Sequence, residues 1–134
     1  MKKIMIVDDS STSRMFVKRC LQTVLIDQDE TEYREAENGK EALARLKESS
    51  ADLALIDLNM PLMDGATLLR WMKASPKLTL IPVVVITSAD SPANREELMK
   101  LGASYVLSKP IAPAKLKPVI HEIFDMPSND DFGL

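Results

Sequence analysis

Four short apolar runs punctuate the chain, and each ends in polar residues able to handle a metal ion or a phosphoryl group. Ile4-Met5-Ile6-Val7 leads into Asp8 and Asp9, and Leu53-Ala54-Leu55-Ile56 into Asp57. Val83-Val84-Val85-Ile86 leads into Thr87, and Tyr105-Val106-Leu107 into Ser108 and Lys109. Continuous apolar runs of this length, separated by stretches of helical period, read as strands buried on both faces of a parallel sheet. Parallel strands present their carboxyl ends on a common edge. In open α/β sheets that edge binds ligands, at the point where the strand order reverses. Three carboxylates, a hydroxyl and an ammonium converge there by this reading.

A chain of 134 residues fits one domain able to bury a sizeable core without staples. Its net charge of -3, with Lys and Arg scattered rather than blocked, argues against nucleic acid or an anionic membrane as partner. A single cysteine excludes an internal disulfide framework. No run is long enough to span a bilayer, and Met1-Lys2-Lys3 leads straight into a strand rather than a signal-peptide core. The expectation is a soluble, cytoplasmic protein.

Between the strands the pattern turns helical. Val17, Cys20, Leu21 and Val24 mark a first helix over Ser11 to Leu25, capped by Ser10 or Ser11, with Cys20 as core packing. Thr31 to Glu37, mostly polar and closed by Asn38-Gly39, reads as an edge strand. Lys40 to Glu48 turns Ala42, Leu43 and Leu46 inward. Asp64 caps a third helix carrying Leu68, Leu69 and Met72, with Gly65 lending flexibility at its start and Trp71 off the stripe, partly exposed. Pro82 opens the next strand. Ser91-Pro92 caps a fourth helix that Gly102 ends. The last helix lies between Ala112 and Phe124, where Pro118 predicts a kink or a late start, since an interior proline costs about 3 kcal/mol. Residues 125–134 read as a disordered tail after a unit of residues 1–124. Five alternations of strand and helix predict a doubly wound α/β sheet in the order 2-1-3-4-5, the flavodoxin-like arrangement.

That order sets the first and third strands side by side, so Asp8 and Asp9 face Asp57. Two unit charges about 4 Å apart repel by roughly 4 kcal/mol at an effective dielectric near 20, so the cluster calls for a cation. Mg²⁺, which takes one or two carboxylates, waters and a phosphate, suits an open edge. Lys109 reaches back over Thr87 towards Asp57 as a movable point charge, and Ser88 and Ala89 are small enough to leave room for a phosphoryl group. Taken singly, Asp8-Asp9 reads as a capped turn, Thr87 as strand filler and Lys109 as a solvated charge; their joint placement outweighs those readings.

Val7-Asp8-Asp9-Ser10, Asp57-Leu58-Asn59-Met60-Pro61 with Asp64-Gly65, Ile86-Thr87-Ser88-Ala89 and Ser108-Lys109-Pro110 occur in this order. Over about residues 3–124 the chain thereby resembles the receiver domain of the two-component response-regulator family, in its single-domain, chemotaxis-like form. The resemblance implies that Asp57 is the phosphoacceptor and Asp9 a direct Mg²⁺ ligand. It implies that Asp8 acts through metal-bound water and Asn59 through its backbone carbonyl. Thr87 and Lys109 would contact phosphoryl oxygens, Lys109-Pro110 would be cis, and Gly65 would flank the site. The family's aromatic switch position, three before the lysine, holds Val106, with Tyr105 one place earlier. Alternation across a strand then points Tyr105 to the opposite face.

The implied function is Mg²⁺-dependent acceptance of a phosphoryl group from a phosphohistidine kinase or phosphotransfer protein, followed by self-catalysed dephosphorylation. The target would bind at the face of the fourth helix, fifth strand and fifth helix. Lys100, Lys115, Lys117 and His121 decorate that face as solvated charges. The alternatives are a Mg²⁺-dependent phosphatase or phosphotransferase forming an aspartyl phosphate, which commonly needs a carboxylate where Asn59 stands, and an interaction module that is never phosphorylated. A dinucleotide-binding domain is disfavoured because the first strand leads into Asp-Asp-Ser rather than a glycine-rich loop.

Overall fold

The computed structural model describes residues 1–26, 30–88 and 90–126. Each apolar run becomes a strand and each periodic segment a helix. In chain order they are β1 (Lys2–Val7), α1 (Ser11–Val24), β2 (Thr31–Ala36), α2 (Gly39–Glu48) and β3 (Leu53–Asp57). There follow α3 (Gly65–Ala74), β4 (Val83–Thr87), α4 (Pro92–Lys100), β5 (Tyr105–Ser108) and α5 (Pro113–Ile123). The strands form one five-stranded parallel sheet in the order β2-β1-β3-β4-β5. Register sets Val7 against Ile56, Asp57 against Ile86 and Thr87 against Ser108, so the polar ends of the runs line up.

Alternation across the pleat splits the apolar side chains into two cores. Met5, Val7, Ala54, Ile56, Val83, Val85 and Val106 pack beneath α2, α3 and α4. Ile4, Ile6, Leu53, Leu55, Val84 and Ile86 pack against Val17, Cys20 and Leu21 of α1 and Leu116, Val119 and Ile120 of α5. Leu21, Leu46, Leu55 and Leu69 are fully buried, and truncating any one to Ala would cost about 2–5 kcal/mol. Trp71 is 55% exposed, as its place off the α3 stripe requires. Among the described residues no helix is long and apolar enough to cross a membrane.

Side-chain caps start four helices. Ser10, Asn38, Asp64 and Ser91 accept from the backbone N–H groups of Ser13, Glu41, Thr67 and Asn94 at 3.2, 2.8, 2.8 and 3.1 Å. Because Asn38 caps, α2 begins at Gly39 rather than Lys40, and β2 stops at Ala36 rather than Glu37. The expected late start of α5 is corrected: the helix begins at Pro113 and runs through Pro118. The only intrahelical donor lost is the one Pro118 would have sent to Ala114. Both residues are exposed, so water can meet that carbonyl while Leu116, Val119 and Ile120 are buried opposite. Gly102 ends α4 with φ at +111°, where a Cβ would also stand 2.8 Å from the Lys73 side chain. Asp125 and Met126 follow α5, and the remainder of the expected tail lies outside the described residues, as does Ala89.

Candidate functional site

Strand parity explains which end-of-strand residues meet. Asp8 continues the alternation of Ile4 and Ile6, Asp57 that of Leu53 and Leu55, and Lys109 that of Tyr105 and Leu107. All therefore emerge on the side covered by α1 and α5. One carboxylate oxygen from each of Asp8, Asp9 and Asp57 lies within 4.8 Å of the others. Lys109 Nζ stands 3.2 Å from Asp57 Oδ1 and 3.8 Å from Asp8 Oδ2. Asp8 and Asp57 are 5% and 6% exposed, whereas Asp9 is open to solvent. Thr87 has the other parity, shared with Val83 and Val85, and is fully buried at the end of β4.

Asp8 is held from several directions. Its N–H donates to the Ala36 carbonyl at 3.1 Å, and its Oδ1 accepts the Ser10 N–H at 2.9 Å. Its carbonyl accepts Arg14 Nη1 at 2.6 Å, and Arg14 Nε donates to Glu35 Oε1 on β2 at 2.9 Å. Burial pushes the Asp8 carboxyl above its ordinary pKa. The charges of Asp57 and Asp9 add to this, while the Ser10 N–H and the Lys109 ammonium oppose it.

The chain leaving Asp57 is pinned to its neighbours. Leu58 N–H donates to the Ile86 carbonyl at 3.0 Å, and Gly65 N–H returns to the Leu58 carbonyl at 2.9 Å. The reason for glycine at residue 65 is room rather than flexibility. Its φ lies outside the left-handed region, but a Cβ there would stand 2.6 Å from the Asp57 carbonyl oxygen and 2.9 Å from Leu58 Cα. Asn59 lies exposed in the same loop. Beyond it, Met63 N–H donates to the Pro61 carbonyl at 2.7 Å, closing a tight turn with Leu62 at φ 66°.

On the far side, the Lys109-Pro110 bond is cis, and Lys109 N–H donates to the Thr87 carbonyl at 2.9 Å. Lys115 departs from its expected role as a solvated charge. Its Nζ donates to the carbonyls of Ser108 and Pro110 at 2.8 and 3.1 Å and so ties α5 to the loop carrying Lys109. Tyr105, partly buried, packs against the α1–α5 core with its hydroxyl bonded to Glu122, which pushes the phenol upward; Val106 is buried on the α4 side. On that side Arg95 donates to the Val106 carbonyl at 2.8 Å and to Asp90 Oδ2 at 2.7 Å. Arg14, Arg95 and Lys115 escape a sequence reading because nothing in helical spacing distinguishes a charge that folds back from one that is solvated.

The acidic cluster is a hard-oxygen donor set suited to a divalent ion. At the Mg–O length of about 2.0–2.1 Å neighbouring ligand oxygens stand roughly 3 Å apart and opposite ones roughly 4 Å, so carboxylates within 4.8 Å of one another would draw inward on such an ion, and solvent-open Asp9 leaves access for water ligands. Beside it, a cavity of about 500 Å³ runs between Phe16 and Val17 of α1 and Ile86, Pro110 and Ile111, with Asp8 and Lys109 at its rim.

Doubly wound sheets bind ligands at the carboxyl ends of their strands, and here buried acids and a lysine meet at that edge. The particular kinship comes from known proteins. The family model of the response regulator receiver domain matches residues 4–121. Chemotaxis protein CheY-3 of Vibrio cholerae is 36% identical over 126 residues, covering 92% of each chain. The solved chemotaxis response regulator CheY4 of Vibrio cholerae superposes with a TM-score of 0.80 at 29% identity, covering 92% of this chain and 98% of its own. The Mn²⁺-bound form of response regulator Rcp1 gives 0.73 at 26% identity, covering 96% and 100%. The chain belongs to the response regulator receiver family, as a CheY-like signalling domain rather than a metabolic enzyme.

Proposed function

We propose that residues 1–124 form a unit that accepts a phosphoryl group on Asp57 from a phosphohistidine of a kinase or phosphotransfer protein. The observation that carries this reading is the 3.2 Å contact between Asp57 Oδ1 and Lys109 Nζ inside a cluster of three carboxylates. An Asp57 oxygen attacks phosphorus, the P–N bond breaks, and the imidazole leaves with the bonding pair. Asp9, Asp57 and the Asn59 carbonyl, with Asp8 behind them, would hold Mg²⁺. When bound, that ion supplies positive charge against the phosphoryl oxygens. The Mn²⁺-bound form of Rcp1 supports a divalent ion in this fold.

Lys109 acts by changing partner. Its ammonium holds Asp57 at rest and turns to a phosphoryl oxygen once the carboxylate has become an acyl phosphate, while the Thr87 hydroxyl is drawn out of the core towards another. Water later attacks phosphorus and releases phosphate, regenerating the carboxylate. The same lysine transmits the change. Its N–H is bonded to the Thr87 carbonyl, and Arg95 links Asp90 to the Val106 carbonyl, so movement at the end of β4 loads α4 and β5. The target is a protein that binds α4, β5 and α5 through contacts that differ between the two states. Asp57→Asn should abolish acid-labile labelling from a small acyl phosphate, and undiminished stoichiometric labelling of that variant would refute the assignment.

A further inference from the structure

Arg14 projects from α1 with its side chain only 11% exposed, and its guanidinium is divided between two acceptors. Nη1 donates to the Asp8 carbonyl at 2.6 Å, and Nε donates to Glu35 Oε1 at 2.9 Å. The gripped carbonyl belongs to the peptide unit that joins Asp8 to Asp9. That unit is planar, so fixing its oxygen fixes where the Asp9 Cα stands and which directions its carboxylate can reach. Asp9 needs such help. Asp8 is buried and bonded through its own carboxylate to the Ser10 N–H, whereas Asp9 is exposed and relies on its backbone for placement.

The charge of Arg14 is taken up by Glu35, a residue of the neighbouring strand that stands apart from the acidic cluster. Its influence on the cluster is therefore positional. Glu35 in turn anchors the guanidinium to β2, whose Ala36 carbonyl receives the Asp8 N–H, so the Asp8–Asp9 turn is fixed to the sheet by both its N–H and its carbonyl.

We propose that Arg14 is a positioning residue for the divalent cation: by holding the Asp8–Asp9 peptide it sets the Asp9 carboxylate against Asp8 and Asp57. This rests on the metal-assisted reading above. The test titrates the full chain with Mg²⁺ alone, by calorimetry and by amide chemical shifts, and measures labelling by a small acyl phosphate against Mg²⁺ concentration. Loss of a group that orients a metal ligand typically weakens binding about 10–100-fold. Arg14→Gln should raise the Mg²⁺ Kd about tenfold and shift half-saturation of labelling by the same factor, with the plateau rate recovered at high Mg²⁺. Glu35→Gln keeps the bond to Asp8 and should stay within about threefold, below the range set by losing that bond. An unchanged Kd in Arg14→Gln, or a lowered plateau with unchanged half-saturation, overturns the proposal. Should Arg14→Gln not fold, Arg14→Lys carries the test, since a shorter side chain without the planar guanidinium fork cannot hold the Asp8 carbonyl in the same geometry while reaching Glu35. A several-fold weaker Kd there supports positioning, and an unchanged one refutes it. If the unaltered protein shows no saturable Mg²⁺ binding, or Asp9→Asn leaves binding intact, the metal reading itself fails and Arg14's role falls with it. Saturable binding in the unaltered protein with equal binding in both Arg14 variants sinks the Arg14 proposal alone.

Discussion

Replacing Lys109 with Met keeps the length of the stem and removes its charge, and its three consequences do not share one sign. Nζ lies 3.2 Å from Asp57 Oδ1 and 3.8 Å from Asp8 Oδ2. Each contact is worth about 1 kcal/mol in a water-like dielectric and about 4–5 kcal/mol at an effective dielectric near 20. The lysine side chain is 35% exposed at a solvent-open edge, which places the pair near the lower figure. Lys109→Met should therefore lower the stability of the metal-free protein by about 2 kcal/mol. Mg²⁺ binding should tighten, because the ammonium competes for the same oxygens. Relief of about 1.4 kcal/mol of repulsion corresponds to a tenfold lower Kd. Phosphoryl transfer should nevertheless slow by about 10²–10³-fold, since a preorganised charge facing the transferred group is gone. Urea unfolding with a chelator and with saturating Mg²⁺, a calorimetric titration and a labelling time course read all three. Metal-free stability within about 0.5 kcal/mol of the unaltered protein, or weaker Mg²⁺ binding, would refute the electrostatic account.

Asp8 titrates with an upward shift, so the folded state holds its proton more tightly than the unfolded chain does. In metal-free protein this contribution favours folding below the ordinary carboxylate value of about 3.9 and is lost as pH rises through the raised folded value. The stability advantage of Asp8→Asn should thus grow with pH across that window and level off near neutrality, as paired denaturation curves with a chelator would show; a pH-independent difference contradicts it. Gly65→Ala forces a Cβ against the Asp57 carbonyl and Leu58 Cα, which should cost about 1–3 kcal/mol in thermal or urea unfolding and slow labelling by displacing Asp57. Tyr105→Ala should leave phosphorylation-dependent partner binding largely intact, because the ring lies on the α1–α5 side, bonded to Glu122 and away from Val106. A large loss of coupling in a pull-down with and without phosphodonor would contradict this.

The sheet and its order were readable from the chain because burial on both faces demands uninterrupted apolar runs, and Leu53 to Ile56 or Val83 to Ile86 fit no other local structure as well. Ser10, Asp64 and Ser91 showed in advance where helices begin, since a cap is a contact between residues three apart, whereas Asn38, which beside Gly39 reads as a turn, caps α2 only in the structure. The acids and the lysine were readable as strand-end residues, and the strand order brought them together. Other features were decided only by the tertiary structure. The grip of Arg14 on Asp8 and Glu35, the tie of Lys115 to the Lys109 loop, and the bridge of Arg95 between Asp90 and Val106 each join elements distant in the chain. Gly65 shows the same limit, since the atoms that exclude a Cβ there belong to the preceding strand and its exit. Apolar pattern records which side chains leave water. A long charged side chain, or a missing one, acquires its meaning only from what the fold brings within a few ångströms of it.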